Sequence, residues 1–396
     1  MITVEQAQAL CLALVQTGPV ETVALADAHG RTLAEPLRAK RDQPPFSASA
    51  MDGYAIRSHD AKIGATLTVI GESAAGHGWD GTVNADQAVR IFTGAPVPNG
   101  ADQVVIQENV TRTGETITLG PDAIGNINIR PQGLDFKETF TLNAPRKLTA
   151  SDLALIAAMN HGSVRVTHRP KVALISTGDE LLMPGGDPAP DQIIASNIFA
   201  LQAMLIDAGA VPNVLPIARD TPDALDDILQ QASDWGADII VTIGGASVGD
   251  HDLVAPALDR LGVTRSFHKI AMRPGKPLMA GALGTTAFLG LPGNPVSAVV
   301  CGHLFLLPMV RRALGQSEVL PRGVSARLDA PLPTGGPRAH YLRAHFSEGK
   351  NARIVTAFDK QDSSMLTVLS LANCLLLRPI DDTAKASGDP VTIYPI

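Results

Sequence analysis

The spacing of apolar residues changes character several times along the chain. Residues 3 to 16 repeat apolar side chains at helical spacing, which predicts an amphipathic helix, and a strand-like run, TVALADA, follows. Between about residues 60 and 145 the chain has short β-type runs separated every 8 to 12 residues by Gly, Asn and Pro: ATLTVIGE, QAVRIFTG, QVVIQENV and ETITLG. A helical pattern returns over residues 150 to 159, with Thr149 or Ser151 available as the N-cap. These patterns predict a small all-β domain inserted between two helical pieces that pack together.

From about residue 170 strands and helices alternate, which is the pattern of an α/β domain. The predicted strands are KVALIST, VPNVLPIA, DIIVTIGG, FHKIAM and TTAFLGL, and the predicted helices cover residues 197–208, 222–232, 254–261 and 296–314. This order predicts a doubly wound sheet, which binds ligands at the carboxyl ends of its strands. The loops expected there are rich in Gly or in charged residues: STGDEL, ARDTP, GGASVGDHD, MRPGKP and LPGNPVSA.

The last section, about 317 to 396, has Pro and Gly breaks between short alternating strands. These runs are HYLRAHFS, ARIVTAF, CLLLRPI and PVTIYP, and they predict a small β-barrel or sandwich. The predicted fold class is therefore multidomain, combining a doubly wound α/β unit with all-β units.

Composition narrows the class of protein. The 396 residues, 45% apolar and 18% charged, predict two to four folded domains. Thirty-two Lys and Arg against 39 Asp and Glu give a net charge of −7, with no long block of one sign, so nucleic acid is not expected as a partner. The histidines and cysteines show no H-E-x-x-H or C-x-x-C, and a zinc or haem site is therefore unsupported.

Cysteine usage and apolar stretches predict the compartment. Cys11, Cys301 and Cys374 are odd in number and far apart, which suits buried thiols in a reducing compartment, and cytoplasm is the expectation. The N-terminus lacks the features of a secretory signal, and the most apolar helix-length stretch, residues 296–310, contains His303. No export and no membrane span are expected.

The loop STGDEL places Asp179 and Glu180 just beyond a buried strand. Two carboxylates there can hold a hard cation such as Mg2+ while leaving positions free for phosphate oxygens. An acidic pair that caps the following structure is the alternative interpretation, and both remain open on sequence alone.

The loop GGASVGDHD, residues 244 to 252, combines three glycines with acidic residues. Glycines permit positive φ and can turn successive N–H groups toward one point, which predicts an anion nest beside Asp250 and Asp252. The loop is neither a Walker loop nor a dinucleotide fingerprint. It does match G-x-S-x-G, the nucleophile elbow of serine hydrolases, in which Ser247 would be the nucleophile with Asp259 and His268 downstream.

Two further loops carry candidate anion contacts. MRPGKP brings Arg273 and Lys276 together on a proline-stiffened loop shortly after Lys269, which predicts a cationic face for an oxyanion, although solvated lysines beside a turn would give the same pattern. LPGNPVSA starts the longest predicted helix, whose first N–H groups could take an anion; Pro292 and Pro295 would fix that backbone. A rigid helix start without a ligand is the alternative.

Taken together and in order, these motifs resemble the molybdopterin molybdenumtransferase family, of the MoeA and gephyrin E-domain type. The motifs are PPFSASAMDGYA, IFTGAPVPNGAD, NIRPQGLDF, STGDEL, SNIFAL, GGASVGDHD, MRPGKP and LGLPGNPVSA, and the resemblance covers essentially the whole chain. It implies a homodimer of four-domain subunits. The implied boundaries are 1–42 with 136–168 for a helical and β linker domain, 43–135 for an inserted β domain, 169–316 for a molybdopterin-binding α/β domain, and 317–396 for a C-terminal β-barrel.

The implied activity is insertion of molybdate into molybdopterin, with Mg2+-dependent release of AMP from adenylylated molybdopterin. Glu180, Asp220 and Asp252 are the implied Mg2+ ligands. Catalytic roles are implied for Asp52, Asp135, Glu180, Asp220 and Asp252. Substrate contacts are implied for Thr93, Gly244, Gly245, Ser247, Gly249, Lys269, Arg273, Lys276, Pro292, Pro295, Arg343 and Ser364.

The resemblance also implies where the site lies and what the protein meets. Asp52, Thr93 and Asp135 belong to the inserted domain and are implied to face the partner subunit's α/β domain, so that dimerisation completes the site. Transient contacts with enzymes that supply molybdopterin and with molybdoenzymes that accept the cofactor are expected, with no nucleic acid and no membrane. Some family members have Lys where this chain has Arg273, which keeps the charge but replaces a point charge with a fork of donors.

Three rival functions remain. A molybdopterin adenylyltransferase shares the α/β domain with its GG-S-G-D loop but not the flanking domains. A serine hydrolase would use Ser247. A non-enzymatic scaffold of the gephyrin kind would not need the acidic and basic residues to be intact, and in this sequence they are.

Overall fold

The computed structural model describes residues 1–245 and 254–396. Helices cover Val4–Ala13, Ala150–Ala158, Asn197–Ala208, Pro222–Asp234, Val254–Arg260, Pro295–Cys301, Leu307–Ala313 and Leu366–Leu371, with a π-helical turn over Gly302–Leu306. The predicted helices are confirmed apart from one or two residues at most ends, because Pro, Thr and Gly mark their boundaries. Thr149, for example, accepts a hydrogen bond from the Asp152 N–H, and the Asp152 carboxylate accepts one from the Thr149 N–H, which closes a capping box.

The α/β domain is built on a six-stranded sheet. Its order is Val211–Val214, Lys171–Ser176, Ile239–Ile243, Thr286–Leu291, Met279–Leu283 and Thr264–His268. The first four strands are parallel, and Met279–Leu283 runs antiparallel to both of its neighbours, Thr286–Leu291 and Thr264–His268. The doubly wound prediction is confirmed, since apolar clusters cover both faces. The chain reverses direction across the sheet beside Lys171–Ser176, and such a switch point opens a crevice at the carboxyl ends of the strands.

One strand of this sheet was not predicted from the sequence, and another was predicted with the wrong bounds. Met279–Leu283 was not predicted, because PLMAGALG is rich in Gly and Ala and lacks β-branched residues. The predicted strand FHKIAM is wrong in its bounds: the chain pairs over Thr264–His268, and Lys269 then takes a positive φ of 75°. The sheet pairing ends there, and a loop leads to the short strand Met272–Arg273.

One helical stretch, Pro295–Ala313, is long and apolar enough by length and composition to cross a membrane, considering the described residues alone. Eighty-three per cent of its most apolar 18-residue segment is buried inside the molecule, as in a core helix of a folded domain. It packs with Asn197–Ala208 and Val4–Ala13 on one face of the sheet. The helix nearest the N-terminus therefore stabilises the α/β core from a sequence distance of about 300 residues.

Two β units precede the α/β domain. The inserted sheet has the order Gln103–Ile106, Gly53–Ile56, Gln87–Ile91, Thr66–Ser73, Thr116–Leu119 and Val110–Thr113. A four-stranded sheet joins both flanks of the insertion, in the order Val20–Ala24, Ser163–Thr167, Thr32–Leu33 and Arg146–Lys147. Short pairs, Leu37–Arg38 with Thr141–Leu142 and Ala48–Ser49 with Ile129–Arg130, connect the two. The predicted insertion of an all-β segment between paired flanks is observed, while its boundaries stay predictions.

The C-terminal region closes into a five-stranded barrel. Its strands, in spatial order, are Ala339–Glu348, Arg353–Ala357, Val324–Leu328, Pro390–Pro395 and Cys374–Arg378, and the last pairs again with the first. The small barrel predicted from the sequence is confirmed. Met272–Arg273 of the α/β domain pairs with Ala339–Glu348 and ties the barrel to the sheet.

Candidate functional site

A cleft of about 610 Å3 lies at the carboxyl ends of the parallel strands, at the switch point of the sheet. The loops after Lys171–Ser176 and Ile239–Ile243 form its floor, and the start of helix Pro295–Cys301 forms one wall. Seven residues predicted from the sequence line it: Glu180, Asp220, Gly244, Gly245, Pro292, Pro295 and Ser364. The fold thus brings together residues that are up to 184 positions apart in the chain (364 − 180).

Glu180 folds back over the loop that carries it. A Cβ placed on Gly178 would lie 2.5 Å from a carboxylate oxygen of Glu180, and Gly178 has a φ of 145°. Any other residue at position 178 would push the carboxylate away. Glycine is therefore favoured at position 178 of STGDEL because it leaves room for the Glu180 carboxylate at the cleft.

Asp220 is exposed and is held by the neighbouring loop. The Asp179 N–H lies 3.4 Å from an Asp220 carboxylate oxygen, and the Asp220 N–H lies 3.3 Å from the Asp179 carboxylate. Asp179 also lies 3.8 Å from the Arg219 guanidinium and does not line the cleft. Of the STGDEL carboxylates, Glu180 thus faces the cleft and Asp179 supports the loops.

Gly244 and Gly245 have positive φ values of 94° and 64°, as predicted for this loop. A Cβ on Gly244 would lie 2.9 Å from the Thr177 carbonyl oxygen, so the close approach of the two loops requires glycine. The Gly244 N–H donates to the Leu291 carbonyl at 3.1 Å. The prediction of an anion nest is wrong for this one N–H, because it is already paired within the sheet.

The start of helix Pro295–Cys301 is tied to the barrel. The Val296 N–H donates to the Ser363 carbonyl at 3.1 Å, and the Asn294 amide donates to the Ser363 hydroxyl at 3.0 Å. The first N–H group of the helix is therefore used by the protein, which supports the rigid helix start among the two interpretations of LPGNPVSA. The same contacts bring the neighbouring Ser364 into the cleft.

Arg343 is fully buried next to the loop of the C-terminal region that carries Asp362, Ser363 and Ser364. Its Nη2 donates to the Asp362 carbonyl at 3.0 Å, but Nε and Nη1 have no hydrogen-bond partner within the described chain. Hydrogen bonds from the Ser364 hydroxyl and N–H hold the pKa of Asp362 below its ordinary value, and the charges of Arg343 and Arg273 act in the same direction. Two unpaired buried donors on a guanidinium are what an anion-binding arginine presents in its free state.

The cationic loop does not point into the cleft as a unit. Pro277 lines the cleft, whereas Lys269, Arg273 and Lys276 do not. Arg273 instead lines a second cavity at the end of the barrel, since its strand pairs with the barrel. The loop was predicted to lie at the sheet edge because FHKIAM was expected to be a strand of that sheet.

Asp52 and Thr93 lie in direct contact in the inserted sheet. The Thr93 N–H and hydroxyl both donate to one Asp52 carboxylate oxygen, at 2.7 Å each. These two bonds hold the pKa of Asp52 below its ordinary value, with a smaller contribution from the Arg90 charge. Asp135 is exposed on the segment following the sheet. Within the described part of one subunit, none of these predicted residues has a hydrogen bond or ion pair with a residue that lines the cleft.

The predictions for Ser247, Gly249 and Asp252 lie outside the described residues. Two further cleft residues, Thr177 and Asn197, were not predicted from the sequence. Thr177 has a buried hydroxyl without a partner among the described residues, and the Asn197 amide donates to the Gly293 carbonyl at 2.7 Å. Both stand in motifs quoted above, STGDEL and SNIFAL, but a Thr and an Asn carry too little chemistry on their own to be singled out.

The carboxylates at the cleft suit a hard divalent cation. Glu180 and Asp220 offer the oxygen donors that Mg2+ prefers. Among the described residues, no group of three or more His, Cys, Asp or Glu side chains could hold a metal ion. The third predicted ligand, Asp252, lies outside the described residues.

Family profiles cover most of the chain. Residues 2–160 match the MoeA N-terminal region (domain I and II), residues 173–312 match a probable molybdopterin binding domain, and residues 325–396 match the MoeA C-terminal region (domain IV). A curated relative from Nostoc sp., named molybdopterin molybdenumtransferase, is 35% identical over 94% of this chain and 88% of its own length. One of the same name from Haemophilus influenzae is 33% identical over 100% of this chain and 98% of its own.

Solved structures give the same result. Two structures titled as the molybdopterin biosynthesis MoeA protein from Pyrococcus horikoshii are 28% identical, with TM-scores of 0.86 and 0.83. Both matches cover 100% of this chain, and they cover 99% and 100% of the two matched chains. The full-length matches, together with a cleft at the switch point of the α/β sheet, show that the chain belongs to the MoeA family of molybdopterin molybdenumtransferases.

Proposed function

We propose that this protein is a molybdopterin molybdenumtransferase that inserts molybdate into adenylylated molybdopterin and releases AMP in an Mg2+-dependent reaction. The observation that carries the proposal is the composition of the cleft. Two carboxylates, Glu180 and Asp220, share it with a close-packed glycine loop and with Ser364 of the barrel. Acids are out of place in a pocket for anions unless a cation bridges them to the substrate.

The acidic residues of the protein would bind the metal ion, and its basic residues would bind or attract the anionic substrates. Glu180 and Asp220, with Asp252, would hold Mg2+, which when bound would neutralise the pyrophosphate oxygens of the nucleotide. Ser364 and the buried Arg343, whose Nε and Nη1 are unpaired, would contact the oxyanion. Lys276 and Lys269 would lower the electrostatic cost of bringing molybdate, a dianion, toward the phosphates.

We further propose that the site is completed across a homodimer. Asp52, Thr93 and Asp135 are not bonded to cleft-lining residues within the described part of one subunit, although the family resemblance implies a role for them in the reaction. A partner subunit's inserted domain would supply them. Transient contacts with enzymes that deliver molybdopterin and with apo-molybdoenzymes would follow from the reaction, and three buried free cysteines suit the reducing cytoplasm.

The test is a reconstituted assay. Purified protein is incubated with adenylylated molybdopterin, molybdate and Mg2+, and AMP is followed by chromatography while cofactor is followed by activation of an apo-molybdoenzyme. We expect AMP and active cofactor to appear together, and both to require Mg2+ and molybdate. AMP release without cofactor, or no turnover under any of these conditions, would contradict the proposal.

The rival functions predict different outcomes. A molybdopterin adenylyltransferase would consume ATP and unmodified molybdopterin and release pyrophosphate. A serine hydrolase would be labelled at Ser247 by a fluorophosphonate. A scaffold without catalysis would fail every assay while still forming a dimer, which sedimentation would detect.

A further inference from the structure

The open end of the C-terminal barrel contains a cavity of about 510 Å3 that is separate from the cleft. Among the described residues, none lines both. Its walls come from the loops 330–338 and 357–361, and its base comes from Leu342 and Arg378 on neighbouring barrel strands. The size falls within the range of about 300–1,000 Å3 typical of small-molecule sites.

Two arginines reach this cavity with their charges unpaired. Arg273 and Arg338 both line it, and neither forms an ion pair within residues 1–245 and 254–396. Arg378 is different, because its Nε donates to Asp382 at 2.6 Å and its Nη2 donates to two backbone carbonyls. Arg378 therefore stabilises the wall, while the other two guanidinium groups are available to a ligand.

His340 stands between these cations. It lies directly opposite Arg273 in the strand pairing, and its Nε2 is buried without a hydrogen-bond partner. Burial, reinforced by the nearby charges of Arg273, Arg343, Arg338 and Arg378, lowers the pKa of His340 to about 4. The ring is thus neutral at pH 7 and can still donate one N–H bond, and a buried polar atom without a partner points to a missing ligand atom.

The rest of the lining is largely apolar. Leu332, Leu342 and Phe358 line the cavity together with three prolines, and Asp359 is the single acid among the lining residues. A bare oxyanion would occupy only the cationic part and would leave these side chains exposed. A ligand that fits must carry a dianionic group at one end and an apolar body at the other.

We propose that the barrel mouth is a binding site for a small organic monophosphate, whose phosphate contacts Arg273, Arg338 and His340 and whose apolar body packs against Phe358 and Leu332. Two unpaired guanidinium groups match the charge of a phosphate dianion, and arginine is the residue that best recognises phosphate. The site is assigned from the geometry of this cavity and does not rest on the proposed function.

The probe is phenyl phosphate, titrated into the full-length protein with ring-13C-labelled histidine. The His340 resonance, identified by its loss in His340→Gln, reports this cavity and not the cleft. We expect it to shift saturably with phenyl phosphate, and to require at least tenfold more inorganic phosphate or phenol for the same shift. Arg338→Gln should weaken phenyl phosphate about 10- to 150-fold, the effect of one lost charge-assisted hydrogen bond of about 1.5–3 kcal/mol.

Controls separate binding from folding. Arg322→Gln removes an exposed charge outside the cavity and should leave the titration unchanged, while Arg338→Lys should recover part of the affinity. The circular dichroism spectrum and melting temperature of each variant establish that it is folded. An unshifted His340 resonance, equal binding of inorganic phosphate, or an unaffected Arg338→Gln variant would each overturn the proposal.

Discussion

The Asp52 carboxylate accepts both of its hydrogen bonds from Thr93, whose backbone N–H and hydroxyl converge on one carboxylate oxygen at 2.7 Å. The other oxygen has no bond within the described chain, so the carboxylate is oriented by one residue and presents a free edge. The same two bonds hold the pKa of Asp52 below its ordinary value. The pairing therefore fixes both the direction and the charge state of a predicted catalytic group.

The first prediction concerns that pairing. Thr93→Val removes the hydroxyl bond but keeps the backbone N–H, so the pKa of Asp52 should rise toward the ordinary value. Because the shift in the native protein is downward, Asp52 stays ionised to lower pH than a free Asp, and the acid limb of AMP release should move to higher pH in the variant. Carboxyl-13C NMR of Asp52 and the pH–rate profile measure the two effects.

Thr111→Val provides the matched control, since it changes an exposed Thr on the same sheet. It should leave both profiles unchanged. If Thr93→Val also changes neither, the hydroxyl bond does not set the ionisation of Asp52.

The second prediction tests the shared site. Asp52→Ala and Glu180→Ala should each be inactive, because one removes a group of the inserted domain and the other a group of the cleft. Subunit exchange between the two variants should restore part of the AMP release, since one composite site in each heterodimer would be intact. Native mass spectrometry confirms exchange, and heterodimers without activity would count against a shared site.

The parts of the fold that could be predicted from the sequence are those set by interactions between residues close together in the chain. The helix boundaries were predictable because capping residues such as Thr149 act on their immediate neighbours. Met279–Leu283 was missed because a strand of small residues is stabilised by its partners on both sides and not by its own propensity.

The residues of the cleft also divide into those that local sequence could predict and those that depend on long-range pairing. Glu180 and Gly244 could be placed at strand ends from the sequence, because the carboxyl ends of parallel strands meet. Arg273 was assigned to the same edge, yet its strand pairs with the barrel at residues 339 and 340, a contact between positions more than 60 residues apart. Long-range pairing of this kind leaves no local pattern in the chain. The partnerless Nε and Nη1 of Arg343 likewise become visible only once the barrel has closed around them.

The third prediction separates the carboxylates of the cleft from their neighbour. Asp220→Asn and Glu180→Gln should lower AMP release at least tenfold, and raising the Mg2+ concentration should recover part of it, because each keeps a neutral oxygen donor in place of a charged one. Asp179→Asn is the matched control: Asp179 is adjacent to Glu180 but does not line the cleft.

Activity of Asp179→Asn should therefore keep its Mg2+ dependence. The assay is an Mg2+ titration at saturating substrate. An equal loss in all three variants would indicate a general effect of charge on the loops and not a metal site.

The fourth prediction concerns the cationic loop. Lys276→Ala should raise the molybdate concentration needed for cofactor formation, because the variant loses a positive charge that would lower the electrostatic cost of bringing the dianion toward the phosphates. Lys350→Ala, an exposed charge on the barrel, should have no effect.

The measurement is the molybdate dependence at saturating pterin nucleotide. If Lys276→Ala instead weakens only the pterin nucleotide, the loop is a clamp for substrate phosphate. Arg343 and Ser364, which are already proposed to contact the oxyanion, would then bind it without a contribution from Lys276.

The last prediction follows from the neutral His340. Its folded pKa of about 4 lies below the value of about 6.5 that an unfolded chain gives it, so between these values the unfolded state binds more protons. The free energy of unfolding should therefore fall as the pH is lowered from about 6.5 to 4, and His340→Gln should make that fall shallower. Native-state hydrogen exchange in the strand Ala339–Glu348, measured without ligand at pH 7 and pH 5, measures the stability of the barrel directly.

His345→Gln, which alters an exposed imidazole on the same strand, is the control and should retain the full pH dependence. Because His303 has a pKa lowered to about 4 by burial as well, some dependence should persist in His340→Gln, but it should appear in the helical stretch Pro295–Ala313 and not in the barrel. An unchanged pH dependence of the barrel in His340→Gln would show that His340 is not the group responsible.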